Sequence, residues 1–211
     1  MRMTPTARWA ALSLAVVVAL LIGFTALLRG AAVPGATTSA EPERRAGGDT
    51  AAALVEARRR ANLLPCPAGS GAAGPASLRA TVVQCAADGS EIEVARTLAG
   101  RRVVLNLWAY WCATCVAELP AMAEYQRRVG SEVLVVTVHQ DDNIGAALSR
   151  LAELGVRLPT LQDGRRLIAS ALRVPNVMPA TVVLRPDGSV ASVLPRDFTT
   201  ADEIAAAVQS Q

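Results

Sequence analysis

The chain has 211 residues, 52% of them hydrophobic, and a formal net charge of +3. That length fits one soluble domain plus an appendage. The small charge is spread along the chain with no basic stripe interleaved with aromatics, so nucleic-acid binding finds no support. All 21 basic side chains are Arg, which excludes a mechanism needing a catalytic Lys. A single histidine, His139, leaves metal sites and Ser-His-Asp triads poorly supplied, and no nicotinamide, flavin or metal motif is visible, so no cofactor is expected.

Residues 1–8 carry Arg2 and Arg8 ahead of an uncharged apolar run, Trp9–Leu28, closed by Arg29. About 20 such residues make a helix of roughly 30 Å, enough to span a bilayer. The positive flank favours a cytoplasmic N-terminus and an exported remainder. A cleaved signal peptide is the rival reading, with Ala31 and Ala32 near a cleavage point, although its apolar region is usually shorter. Either reading exports the domain to a compartment where disulfides persist. Residues 29–65 read as a flexible linker, with a short helix over Thr50–Asn62 whose Arg58, Arg59 and Arg60 either touch anionic lipid or form a solvated charge run. Residues 66–211 read as the folded domain.

Within that domain, Ala80–Cys85 and Glu91–Val94 flank Asp88-Gly89 as a hairpin. Val103–Trp108 (VVLNLW) is a buried strand, followed at once by Cys112-Ala113-Thr114-Cys115 and a helix to about Val129. Glu132–His139 is a second buried strand. Asn143–Leu154 has helical spacing and stops at Gly155. Leu167–Leu172 is a short helix. Thr181–Arg185 and Ser189–Leu194 are strands joined by Pro186-Asp187-Gly188. Thr199 or Thr200 caps a last helix to about Val208, with Asp202 and Glu203 in its first turn. This order predicts an α/β fold, a mixed central sheet with helices on both faces.

A Cys-x-x-Cys between strand and helix has a physical use. The first sulfur sits at the helix N-terminus, where unpaired N–H groups and the macrodipole stabilise a thiolate. Cys112 is therefore the attacking sulfur, and Cys115, one turn on, resolves the mixed disulfide. A zinc ribbon lacks its second Cys-x-x-Cys, and a c-type haem site needs a His where Val116 stands. A purely structural disulfide is the remaining alternative. Cys66 and Cys85 are natural partners in an exported domain, as a staple or as an electron relay to the first pair. Trp108 reads as core and His139 as structural.

The run Trp108-Ala109-Tyr110-Trp111-Cys112-Ala113-Thr114-Cys115 is similar to the active-site segment of thioredoxins. Pro120 matches the proline inside their first helix, and Met178-Pro179 before Thr181-Val182-Val183-Leu184 resembles their cis-proline before a strand. The resemblance covers about residues 78–211, and its nearest branch is the TlpA/ResA-type membrane-anchored oxidoreductases, which share the anchor, the added hairpin and the Glu-x-Pro after the motif. It implies a thioredoxin-like fold in which Trp111, Met178 and Pro179 meet an extended substrate segment. Asn106 stands where thioredoxin has a buried Asp and cannot accept the resolving proton. The resemblance places the acid instead at Glu118, three residues after Cys115, as a partly buried carboxylate; a solvated helix Glu is the alternative.

The expected function is thiol–disulfide exchange with exported proteins; the resemblance implies the reducing direction, a role like that in cytochrome c maturation, and a membrane redox partner that regenerates the pair. The alternatives are a thiol peroxidase and a binding module with a vestigial redox pair.

Overall fold

The computed structural model describes residues 51–69 and 74–211. The elements run α1 (Ala51–Ala61), a 3-10 turn (Ala76–Leu78), β1 (Val82–Cys85), β2 (Glu91–Glu93), α2 (Val94–Thr97), β3 (Arg102–Trp108) and α3 (Ala113–Val129). They continue with β4 (Val133–His139), α4 (Ile144–Leu154), β5 (Thr160–Gln162), α5 (Leu167–Ala171), β6 (Ala180–Leu184), β7 (Val190–Leu194) and α6 (Ala201–Gln209).

The strands form one sheet in the order β2-β1-β5-β4-β3-β6-β7. Helices α3 and α4 cross over from one strand to the next, so β3, β4 and β5 pair in parallel. The remaining neighbours pair antiparallel. Both hairpins turn on the same tripeptide. Asp88 Oδ1 accepts from Ser90 N–H at 2.9 Å, and Asp187 Oδ1 from Ser189 N–H at 2.8 Å. Gly89 and Gly188, at φ 82° and 83°, supply the positive dihedral between them.

Alternation along β3 builds both halves of the core. Val104 and Trp108 face a cluster containing Leu119, Met122, Leu151 and Ile204, from α3, α4 and α6. Val103, Leu105 and Leu107 face the other, with Val94, Ala95, Ile168 and Ala169 from α2 and α5. Each such fully buried side chain contributes about 1.5–3 kcal/mol. Local signals fix the helix ends. Asn143 caps α4 by accepting from Ala146 N–H at 3.0 Å, Gly155 closes it at φ 64°, and Thr200 caps α6.

The expected membrane run at 9–28 and the linker as far as residue 50 lie outside the described residues. Among the described residues, no helix is long and apolar enough to cross a membrane. Within the linker expected over 29–65, the helix expected over Thr50–Asn62 is present as α1, and it docks on the domain where a free tether was expected. Ala57 and Ala61 bury against Ala86 and Leu148, so α1 packs on α4. Leu64 N–H bonds to Arg157 O at 2.9 Å. Small Ala side chains allow this close approach, and their weak hydropathy hid it in an Arg-rich segment. Arg58 is half-buried and turned onto the domain: its Nε donates to Ala86 O at 3.2 Å. Arg59 pairs with Glu56 on the helix surface. Strand β5 and helix α2 were not expected, because three or four residues carry no periodicity.

Cys66 and Cys85 form a disulfide with Cα atoms 5.9 Å apart, tying the segment after α1 to β1. Closing that loop removes chain entropy from the unfolded state, about 3 kcal/mol for its length. Replacing both residues by Ala is therefore expected to lower unfolding free energy by that order in urea titration. An unchanged midpoint would show that the bond contributes no stability.

Candidate redox site

Strand β3 delivers the chain straight into the Cys-x-x-Cys segment. Cys112 is the N-cap of α3, in the extended region at φ −82° and ψ 102°. Its Sγ accepts from Cys115 N–H at 3.3 Å, so the sulfur takes the place of a capping oxygen. The two cysteines are disulfide-bonded, with Cα atoms 5.2 Å apart. Cys112 keeps 8% of its surface exposed and Cys115 none. Upon reduction, a thiolate on Cys112 stands at the positive end of a 17-residue helix, with the Thr114 hydroxyl 3.5 Å away. Pro120 lies inside α3 on its exposed side.

The ends of β3 and β4 frame the disulfide. Gln140 N–H extends the ladder by one bond, to Trp108 O at 2.9 Å. Trp111 is 59% exposed, and its indole N–H donates to Asp141 Oδ2 at 3.0 Å. The sequence reading missed Asp141. Its only signal was position, directly after a strand expected beside the one that leads to the motif. Trp108 is fully buried with its ring centroid 5.0 Å from that of His139. Burial pushes the His139 imidazole below its ordinary range, and its Nδ1 is bonded to Gln162 Oε1 at 2.9 Å. A neutral, packed histidine follows.

The Met178–Pro179 peptide is cis. Pro179 is buried, and Met178 is half-buried against the apolar cluster that contains Cys112 and Cys115. Val177, next in line, is 45% exposed. The Cys66–Cys85 pair is not gathered into this group: β1 stands three strand positions from β3. Among the described residues, no group of three or more His, Cys, Asp or Glu is placed to hold a metal.

Glu118 lies three residues after Cys115 and is 1% exposed, so the partly buried carboxylate expected there is in fact enclosed. Its Oε1 accepts from Asn106 Nδ2 on β3. Its Oε2 accepts from the backbone N–H of Phe198 at 3.0 Å. Phe198 is 80 residues distant in sequence and contributes only main chain, so no sequence signal marks it. Burial pushes the Glu118 carboxyl up to about 7; the bonds from Asn106 and Phe198 pull it down, and the Asp197 carboxylate adds to the rise.

This environment links stability to pH. A folded-state pKa raised above the unfolded value gives stability that is fully present below pH 4.5 and is lost as pH rises through about 7. The loss is on the order of 3 kcal/mol. Unfolding titrations of wild type and Glu118→Gln across that window are expected to diverge in slope, the wild type falling with pH. Parallel curves would mean that Glu118 titrates alike in both states.

Three comparisons place the chain. The Redoxin family profile matches residues 67–208. The thiol-disulfide oxidoreductase ResA of Oceanobacillus iheyensis is 28% identical over 101 residues, 46% of this chain and 50% of that protein. ResA of Bacillus thuringiensis is 29% identical over 104 residues, 49% of this chain and 59% of that protein. The chain thus spans about half the length of the curated relatives it matches. Among solved structures, DsbF from MTB superposes with a TM-score of 0.57 at 26% identity, covering 65% of this chain and 98% of that one. A secreted Mycobacterium tuberculosis disulfide oxidoreductase homologous to E. coli DsbE gives 0.55 at 23% identity, covering 64% and 98%. Its likeness speaks to the fold, which is thioredoxin-like. With the profile spanning most of the chain, the protein belongs to the Redoxin family, as a TlpA/ResA-like member of the thioredoxin superfamily.

Proposed function

We propose that this protein is an extracytoplasmic thiol–disulfide oxidoreductase that reduces disulfides in exported proteins through Cys112 and Cys115. The observation that carries the reading is the Cys112–Cys115 disulfide at the N-cap of α3, Cys112 keeping a small exposed surface and Cys115 none, with the buried, titratable Glu118 three residues further along the same helix. The relatives named as thiol-disulfide oxidoreductases support it.

In the reducing half-reaction the Cys112 thiolate attacks one sulfur of a partner disulfide. The partner's S–S bond breaks and its leaving sulfur departs as a thiolate that takes up a proton. A Cys112–partner disulfide forms. Cys115 then gives its thiol proton to Glu118, and its sulfur attacks Cys112 Sγ. The Cys112–partner bond breaks, the partner's second sulfur leaves as a thiolate that takes up a proton, and the Cys112–Cys115 bond closes, so two electrons pass to the partner, which departs as a dithiol. A carboxyl with a pKa near the working pH accepts and returns that proton efficiently.

Trp111, Val177 and Met178 offer an apolar rim to the partner segment, and the chain beside Pro179 pairs with it as an added strand. In this reading residues 9–28 anchor the protein with residues 1–8 in the cytoplasm, residues 29–50 form the tether, and a membrane redox partner regenerates the dithiol. The Cys66–Cys85 bond acts as a staple.

The direction of electron flow is set by the potential of the pair. Equilibration with glutathione is expected to give a value near that of thioredoxin, about −270 mV; a value near that of DsbA, about −120 mV, would make the protein an oxidant.

Two substitutions separate the sulfur roles. Cys115→Ser is expected to accumulate a mixed disulfide with a disulfide-bonded peptide, whereas Cys112→Ser abolishes attack. The reverse pattern in non-reducing mass spectrometry would exchange the assignments.

Glu118→Gln is nearly isosteric and removes the charge. It is expected to slow resolution of the mixed disulfide and to lower the pKa of Cys115, because an ionised Glu118 opposes a second negative charge beside it. Whole pH profiles are to be compared, since the two groups titrate as a coupled pair. Superimposable profiles would send the proton to solvent instead.

A further inference from the structure

One polar side chain interrupts the apolar strand that leads into the site, and it has a definite partner. Asn106 is fully buried in β3 between Val104 and Trp108. The pairing register sets it beside Thr137 of β4 and Thr181 of β6. The Thr137 hydroxyl is engaged with that of Thr160 at 2.8 Å. Among the described residues, Asn106 Oδ1 and Thr181 Oγ1 have no hydrogen-bond partner. The side-chain partner of Asn106 is Glu118, reached through Nδ2. A packing role alone would be met better by Leu, which carries no amide to desolvate.

We propose that Asn106 is a positioning residue whose side-chain amide, together with the Phe198 N–H, holds the Glu118 carboxyl in place and follows its proton. The inference rests on the proposed role of Glu118 and adds the group that governs it. The two carboxyl oxygens are not equivalent. Oε2 faces a backbone N–H, which only donates, and the carbonyl-type oxygen of a protonated carboxyl is the better acceptor. A proton taken from Cys115 is therefore favoured on Oε1, the oxygen facing Asn106. The new O–H needs an acceptor, and rotation of the Asn106 amide about its terminal torsion presents Oδ1 in place of Nδ2. An amide is able to serve both states of the carboxyl in this way. An Asp at 106 cannot donate when ionised, and a Leu offers neither function.

The other charged groups facing Glu118 are few. Asp197 acts on it from the segment before α6. Arg196 lies over the Phe198 ring at 4.3 Å from its centroid. Cys112 and Cys115 share its helix. Thr137 and Thr181 on the flanking strands are neutral, so the Asn106 amide is the element of the sheet that distinguishes the two states of the carboxyl.

The test is a carboxyl-carbon and side-chain-amide NMR titration of the full-length oxidised protein, with Asn106→Leu, Asn106→Asp and Glu118→Gln for comparison. In the unmodified chain the Asn106 side-chain NH2 resonances are expected to shift with the same midpoint as the Glu118 carboxyl, and to stop titrating in Glu118→Gln. In Asn106→Leu the Glu118 midpoint is expected to rise by at least about half a pH unit, a threefold weakening of the acid, because the charge-assisted bond lost by the carboxylate is stronger than the neutral bond lost by the protonated acid. Asn106→Asp is expected to raise it further by placing a second carboxyl opposite the first. An Asn106 amide that stays flat through the Glu118 titration overturns the proposal, and needs no variant to fold. So does an Asn106→Leu protein whose Glu118 midpoint matches wild type. These readings are taken on the oxidised protein, where no exchange occurs. Exchange kinetics insensitive to Glu118→Gln would therefore sink the proton role of Glu118 while leaving the NMR outcome to decide on Asn106.

Discussion

The site depends on β3 and β4 lying side by side in parallel over seven residue pairs, from Arg102 and Val133 to Trp108 and His139. Parallel neighbours end at the same edge of the sheet, so the segments that follow them emerge together. Gln140 N–H then reaches Trp108 O, and Asp141 reaches the Trp111 indole. Helices α3 and α4 both begin at this edge, each with its unpaired N–H groups directed there. An anionic sulfur at Cys112 is favoured by that geometry before any particular side chain is considered. Antiparallel β6 completes the frame by bringing its N-terminal end, with Met178 and Pro179 just ahead of it, to the same edge.

Most of the core is conventional apolar packing, and it has to offset one unfavourable insertion. Glu118 and Asn106 are both enclosed, and an enclosed carboxyl that ionises near neutral pH carries a desolvation cost of several kcal/mol. Two hydrogen bonds return part of it. The remainder is met by the surrounding burial of Trp108, Leu119 and Met122, each worth about 1.5–3 kcal/mol. The polar pair sits beside the central strand β3, whose flanking residues are buried in both halves of the core. A thinner edge such as β2, with three residues, has no comparable surplus.

Long periodic segments were legible in the sequence. VVLNLW, EVLVVTVH and the helix after Cys115 had length and pattern enough to fix their type, and Pro186-Asp187-Gly188 announced its hairpin. Strand β5 was not legible, because Thr160, Leu161 and Gln162 become a strand only through partners on β4 and β1. Helix α1 was legible as a short helix, but its docking on α4 was not, because the contact is made by alanines, whose small apolar faces register weakly in hydropathy. At the site, Cys112 and Cys115 stood out by spacing alone. Asn106 was visible as a lone polar residue in an apolar run, but its partnership with Glu118 came from the fold. The Phe198 amide carries no side-chain signature, and Asp141 lies 30 residues from the indole it holds.

Glu118 joins two segments 80 residues apart while keeping an ionisable group in the core. Reactivity and robustness thus compete at a single position. Selection for survival at high temperature would favour an apolar side chain there, since the enclosure that raises the carboxyl's pKa also burdens the native state. Laboratory evolution for thermal tolerance above neutral pH would be expected to find apolar replacements at Glu118 early, where the ionised carboxyl burdens the native state most.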